Sequence, residues 1–356
     1  MLSLQTEVCH IFGIEFPIIQ AGMAGGPATS ELAAAVSNAG GLGTLGAAYL
    51  EPEAMRKAID DIKATTRKPF AVNIFTSKDK DDFSRIEEVQ QGLAAFRKEL
   101  DIEKPVISNS ADWSRQQFEI CLEMGVPVIS TAFGLLDEEQ MKAAKSAGIK
   151  TIAMATTVEE AAMAEQSGVD AVVAQGSEAG GHRGTFSLKD HPDGAQIGTM
   201  SLVPQIVDAV RIPVIAAGGI TDGRGLAAAL TLGAAAVQIG TRFLLAEEAG
   251  THPAYQQKIL DSTEEHTIVT KSFSGRPARA IKNRFIKEFE EAGTKALPFP
   301  SHNTVTRDIR NAAAKQGNSE LMSLWAGQSL RLVNKKMPAA RMIREIIGEA
   351  NGILRD

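Results

Sequence analysis

Two cysteines in 356 residues, Cys9 and Cys121, are too few and too far apart for a disulfide framework, and no Cys or Cys/His spacing suits zinc. A reducing compartment fits such a chain. Aromatic residues make up only 5%, so the core must be closed by aliphatic side chains and by the close approach that 32 glycines and many alanines allow. No long basic run is present and the formal net charge is −6, which leaves nothing to neutralise a nucleic-acid backbone. Anionic small molecules are still compatible with local positive charge. The most apolar stretch, 225–240, contains Thr231, Gly233 and Gln238 and divides into a helix and a strand, so no segment is expected to span a membrane. The opening MLSLQTEVCHIFGIEF lacks a basic region followed by an unbroken apolar core and does not read as a signal peptide, so a cytoplasmic location is expected.

What the chain does have is a cadence. Hydrophobic residues form 44% of it, and short apolar runs recur, each followed by a turn and a segment of helical period, as in βα units of a parallel sheet. There are eight: PIIQAG (17–22), GLGTLG (41–46), FAVNIF (70–75), VPVIST (126–131), KTIAMA (150–155), AVVAQG (171–176), PVIAAG (213–218) and AAVQIG (235–240). Eight closes a barrel, and the expectation is a (β/α)8 TIM barrel with an appended helical lobe, an open doubly wound sheet being the competing α/β architecture. Helices are expected over Glu31–Ala39, Glu138–Ala147 and Val158–Ser167, each stopped by glycine. PVISNS at 105–110 reads as an insertion or a ninth strand. The division expected is 1–244 for the barrel, 245–317 for a substrate or lid lobe with helices but no clear strands, and 318–356 for helices returning to the barrel.

In such barrels ligands sit at the carboxyl ends of the strands, and phosphate is often held after the seventh and eighth. Both loops are glycine-rich here: Gly218 and Gly219 follow the seventh run, and Gln238, Ile239, Gly240 and Thr241 end the eighth. Their N–H groups could converge on a phosphate. Gln20, Asn73 and Gln175 each end a strand with an amide able to donate to and accept from the rim of a flavin ring, or simply to cap turns. Ala21, Gly22 and Met23 keep the first loop small. The sixth run enters QGSEAGGHRG, whose Gly180 and Gly181 let a flat ligand touch backbone and whose His182 has a reference pKa near 6.5 suited to acid–base work. The plain alternative is a tight turn with a solvated histidine. Arg183 either draws in an anion or faces water, the basic stretch 271–284 either binds an anion or is solvated, and Trp325 is either a cavity wall or core packing. The other five histidines lie in segments with no matching motif.

Taken together, IIQAGMAGG, AVSNAGGLGTLG, FAVNIF, AQGSEAGGHRGTF, IPVIAAGGITDGRG, AVQIGTRF and SLWAGQ resemble class I of the nitronate monooxygenase family, formerly called 2-nitropropane dioxygenases, over nearly the whole chain. The resemblance implies an FMN-dependent barrel that oxidises alkyl nitronates such as propionate 3-nitronate with molecular oxygen to a carbonyl compound and nitrite. It assigns His182 as the base or orienting residue and the strand-end residues above as the flavin site. The flavin-dependent enoyl-acyl-carrier-protein reductases are similar over the same barrel, and NADH:quinone reductases are a more distant relative. Arg183-Gly184-Thr185-Phe186 and Leu324-Trp325-Ala326-Gly327-Gln328 depart from the reductase pattern and favour nitronate oxidation. A non-catalytic flavin-binding module is the alternative outside enzymes.

Overall fold

The computed structural model describes residues 3–103, 105 and 108–355. Eight parallel strands form one sheet: β1 (Ile18–Gln20), β2 (Gly43–Gly46), β3 (Phe70–Phe75), β4 (Val128–Ala132), β5 (Lys150–Ala155), β6 (Ala171–Gln175), β8 (Val214–Ala217) and β9 (Ala236–Ile239). A two-residue strand, β7 (Gly181–His182), lies outside that sheet. The strand order is β1-β9-β8-β6-β5-β4-β3-β2. Its ends meet where Ile19 bridges Leu42 in parallel, with the Leu42 N–H donating to Ile18 at 2.9 Å and the Gln20 N–H to Leu42 at 3.0 Å. That contact curls the sheet into a (β/α)8 barrel and disposes of the open doubly wound alternative.

Strands of this kind are apolar on both faces because both are covered. One set of side chains, including Ile19, Ala71, Ile152, Val173 and Ile215, points inward and packs with Val8, Cys9 and Phe12 of the helix Glu7–Phe12, which closes the barrel interior. The other set packs outward on the helices, where Leu32 and Val36 of Ser30–Asn38 and Met55, Ile59 and Ile62 of Pro52–Thr65 recur at helical spacing. Small residues set the spacing: a Cβ on Gly43 would lie 1.8 Å from the Ala33 carbonyl oxygen, so only glycine lets that helix approach β2. The last helix, Ala339–Arg355, returns to pack on Ser30–Asn38 and Gly223–Thr231.

The lobe differs from expectation. It contains two strands, β10 (Thr267–Thr270) and β11 (Ala278–Ile281), which pair antiparallel, and β11 also pairs with β7 so that Ala278 faces His182 and Arg279 faces Gly181. Four-residue strands written TIVT and ARAI carry arginine and threonine among their apolar residues, and so escape a search for apolar runs. Of the segment 105–110, positions 106 and 107 lie outside the described residues, and the rest is in neither helix nor strand. No described helix is long and apolar enough to cross a membrane.

Candidate active site

A cavity of about 540 Å³ opens at the carboxyl ends of the barrel strands. Ala21, Gly22 and Met23 after β1, Asn73 on β3, and Gln175, Gly180, Gly181 and His182 on and after β6 all line it. Gly218 and Gly219 after β8, and Gln238, Gly240 and Thr241 at the end of β9, complete that wall. Gln20 and Ile239 do not reach it. Gln20 is fully buried, with Oε1 accepting from the Thr44 N–H at 2.8 Å and Nε2 donating to the Ala21 carbonyl, while Ile239 packs into the outer core.

The amides divide by what is left over. Gln175 spends both ends on the histidine loop, Nε2 donating to the His182 carbonyl at 3.0 Å and Oε1 accepting from the Gly184 N–H at 2.8 Å. Asn73 donates through Nδ2 to Ser130 Oγ at 2.8 Å, which leaves its Oδ1 without a donor among the described residues. A Cβ on Gly22 would meet Asn73 Cβ at 2.3 Å, so the bare backbone there is what gives that amide its room.

The glycine loops fit an anion. Gly218 and Gly219 hold φ of 110° and 74°, left-handed values that a side chain would strain. Among the described residues the N–H groups of Gly218, Gly219 and Gly240 find no acceptor in the protein, and backbone donors without partners are costly unless a ligand or water meets them. Thr241 turns its hydroxyl to the other side of the cleft, accepting from the Gly327 N–H at 3.0 Å.

His182 is held rather than loose. β7 pairs with β11, and His182 Nε2 lies 2.8 Å from Ser274 Oγ. Ser274 Oγ donates to the Arg276 carbonyl at 3.1 Å and accepts from the Arg276 N–H at 3.2 Å. The hydroxyl meets Nε2 as acceptor or donor according to the imidazole tautomer, and Nδ1 has no partner among the described residues. The ring stands 5.1 Å from the Trp325 indole and edge-on to Phe133 at 5.8 Å. Burial, joined by the Arg276 and Arg310 guanidiniums, pushes its pKa down to about 3.

Arg183 neither meets the cavity nor faces water. It is fully buried and donates to three carbonyls, Gly176 and Gln175 at 2.7 Å each and Ala195 at 3.2 Å, stapling the loop to β6. The stretch 271–284 is mixed: Lys282 is exposed and Lys271 pairs with Asp193 at 2.9 Å near the surface, while two of its arginines turn inward. Arg276 is fully buried, 4.1 Å over the Phe133 ring and paired with Asp79 at 2.8 Å, and Arg279 donates to the Ser177 carbonyl at 2.9 Å. Trp325 is both wall and packing, since it lines the cavity and stands edge-on to Phe273 at 5.6 Å.

Several cavity residues were not singled out as site residues in the sequence, although Phe75 ends the FAVNIF run. Tyr49, Phe75 and Phe133 form an aromatic wall, with Tyr49 and Phe75 edge-to-face at 5.3 Å and Phe75 4.5 Å from Phe133. His252, Arg307 and Arg310 also reach the cavity from the lobe. An arginine pair three apart on a charged helix looks like any solvent-facing pair, so the sequence offers no signal for it.

His302, among the histidines without a motif, is fully buried beneath the lobe. Nε2 lies 2.8 Å from the Ser272 carbonyl and Nδ1 accepts from the Leu297 N–H at 3.3 Å, so a second ring proton would face an N–H. Burial holds its pKa down to about 4. A histidine that stays neutral in the fold binds fewer protons than its unfolded counterpart between about 6.5 and 4, so its contribution to stability is complete above that window and is lost as pH falls through it. The melting temperature is expected to drop between pH 7 and pH 5, by a stability loss approaching about 1.4 kcal/mol per pH unit for this group, and His302→Gln should lessen the drop, the remainder coming from His182, whose pKa burial also lowers. A wild-type melting temperature unchanged over that range would count against this account.

The nitronate monooxygenase family model matches residues 5–349 of this chain. A protein named probable nitronate monooxygenase from Staphylococcus saprophyticus subsp. saprophyticus is 44% identical over 358 aligned positions, covering 99% of each chain, and one of the same name from Staphylococcus aureus strain MSSA476 is 44% identical over 356, with the same coverage. Among solved structures, nitroalkane oxidase from Streptomyces ansochromogenes aligns with a TM-score of 0.91 at 38% identity, covering 98% of this chain and 99% of that one. FabK from Thermotoga maritima aligns with a TM-score of 0.79 at 33% identity, covering 99% and 98%. The chain belongs to the nitronate monooxygenase family and is an oxidoreductase.

Proposed function

We propose that this chain binds FMN and oxidises alkyl nitronates with molecular oxygen, releasing a carbonyl compound and nitrite. One observation carries the reading: three N–H groups without acceptors, at Gly218, Gly219 and Gly240, share a cavity with a neutral imidazole whose Nδ1 is free. The first suits a single phosphate group; the second suits a substrate with a proton to lose or a charge to be oriented. No dinucleotide-binding glycine fingerprint precedes a helix in a βαβ unit here, which favours FMN over FAD. When bound, the flavin supplies the redox chemistry, taking an electron from the nitronate and passing electrons to oxygen.

The residues around it position and shield. Asn73 Oδ1, left without a donor, would be available to hold the flavin, and the small surfaces of Ala21 and Gly22 would leave room for a flat ring beside the first loop. His182 Nδ1 accepts a proton from the carbon next to a nitro group. Phe133 and Trp325 flank the imidazole and keep water from competing for it.

The purified protein is expected to be yellow, to release FMN on denaturation, and to consume oxygen when given a preformed alkyl nitronate. The similarity to FabK makes the rival reading concrete, since a flavin bleached by NADH under anaerobic conditions, with no oxygen uptake on nitronates, would replace nitronate oxidation with an NAD(P)H-dependent reduction. Bound flavin with neither activity would leave a binding module.

A further inference from the structure

Several contacts that fix His182 run back to one side chain outside the cavity. Between β10 and β11 the chain turns, and Arg276 in that turn is fully buried and is not among the cavity's lining residues. Its guanidinium reaches three loops. One terminal nitrogen pairs with Asp79 at 2.8 Å in the segment after β3, the other donates to the Thr185 carbonyl in the histidine loop, and the central carbon lies 4.1 Å over the Phe133 ring after β4. The backbone N–H and carbonyl of the same residue both meet Ser274 Oγ, and that oxygen lies 2.8 Å from His182 Nε2.

Phe133 shows that the arrangement is imposed rather than relaxed. Its backbone holds φ of 72°, a left-handed value that a bulky side chain rarely adopts. Such a conformation persists only where the surroundings over-determine it. The guanidinium covers the ring, Phe75 stands 4.5 Å away, and the ring meets His182 edge-on at 5.8 Å. Phe133 clusters with Ala132 and Phe299 apart from the barrel core, so its strain is not explained by core packing.

Arg276 is itself costly to bury. Burial pushes its pKa down to about 10 despite Asp79, and its Nε is buried with no partner. A buried ion pair is a poor source of stability, because the loss of hydration can exceed the attraction gained. What this one supplies is fixed geometry, since a planar fork with three partners has one orientation. Its charge acts on the ring as well: together with Arg310 of the helix Arg307–Lys315 it opposes a second proton on His182, while Phe299 and Trp325 close the remaining sides without charge.

We propose that Arg276 is a positioning residue for His182: a buried cation, fixed between Asp79, the Thr185 carbonyl and the Phe133 ring, that holds Ser274 and Phe133 against the imidazole and so keeps it aimed into the cavity. The assignment rests on the nitronate reading above for what the ring does, and on the packing alone for its being held.

The first test reads the ring itself. NMR relaxation of 13C-labelled histidine rings, with His182 identified by its absence in His182→Asn, is run on the protein as purified. The wild-type ring is expected to be rigid on the ps–ns scale, with an order parameter near about 0.85, and to loosen toward about 0.6 in Arg276→Met. Arg276→Lys keeps the charge but cannot hold an acid, a carbonyl and a ring face at once, so it should loosen the ring by a smaller amount, and it carries the test if the methionine variant does not fold. A ring as rigid in Arg276→Lys as in the wild type overturns the proposal.

The second test reads the consequence. Arg276→Lys is expected to lower kcat on a neutral nitroalkane by about 10–10²-fold, the scale of a displaced reacting group, to leave turnover of the preformed nitronate near the wild-type value, and to cost nothing further in a His182→Asn background. Equal losses on both substrates, or a loss that persists without His182, would reduce Arg276 to a structural brace. A ring loosened by Arg276→Lys in a protein that oxidises no nitronate would uphold the clamp and sink the nitronate reading.

Discussion

His182→Asn is expected to reduce turnover of a neutral nitroalkane by about 10²–10⁴-fold, the usual contribution of a positioned acid–base group. Turnover of the preformed nitronate should fall far less, because that substrate has already lost its proton. The depressed pKa sharpens the expectation. An imidazole that titrates near 3 is unprotonated throughout the neutral range, so the wild-type rate on neutral nitroalkane should show no histidine titration between pH 6 and 8. It is also a weak base, which makes the preformed nitronate the faster wild-type substrate. Flavin content should stay near normal, since in this reading the glycine loops and Asn73, not the imidazole, hold the cofactor. Steady-state rates on both substrates with bound flavin measured in the same preparation decide the matter, and small equal losses on the two would remove His182 from proton transfer.

Arg183→Met should be the most damaging substitution for the histidine loop. It leaves the carbonyls of Gln175, Gly176 and Ala195 buried without their donor, at about 1–3 kcal/mol for each unsatisfied group. A loss of about 3 kcal/mol corresponds to a melting temperature lower by roughly 4 °C in a chain of 356 residues. Activity should fall on neutral and anionic substrates alike, since β6 and His182 are joined through that loop. Arg183→Lys should not rescue it, because one ammonium cannot reach three carbonyls in different directions. Had Arg183 served to attract the substrate anion, the variant would show a raised KM for nitronate at an unchanged melting temperature, and that result would overturn the staple.

The basic stretch 271–284 shows how a charge pattern misleads. Arginines that read as a solvated or anion-binding run are brackets: Arg276 stacks on Phe133 and pairs with Asp79, and Arg279 holds the Ser177 carbonyl. Charge alone does not say whether a guanidinium faces water or a carbonyl. The same blindness hid Arg307 and Arg310, whose place at the cavity becomes visible only once the lobe is folded, with Asp308 between them taken by Arg97.

The barrel was legible in the chain because a strand covered on both faces is apolar at most positions, and such runs followed by helical periods recur eight times at readable spacing. FAVNIF and KTIAMA coincide with β3 and β5 to the residue. The glycine loops were legible for a related reason, since bare backbone beside a ligand leaves a compositional trace wherever it occurs. What depended on residues far apart in the chain left no such trace. The pairing of β7 with β11, the serine that holds the histidine ring from 92 positions away, the aromatic wall and the arginines at the cavity are products of the lobe folding over the barrel mouth. Local sequence states which side chains can pack or bond, and only the closed tertiary arrangement decides which partners they meet.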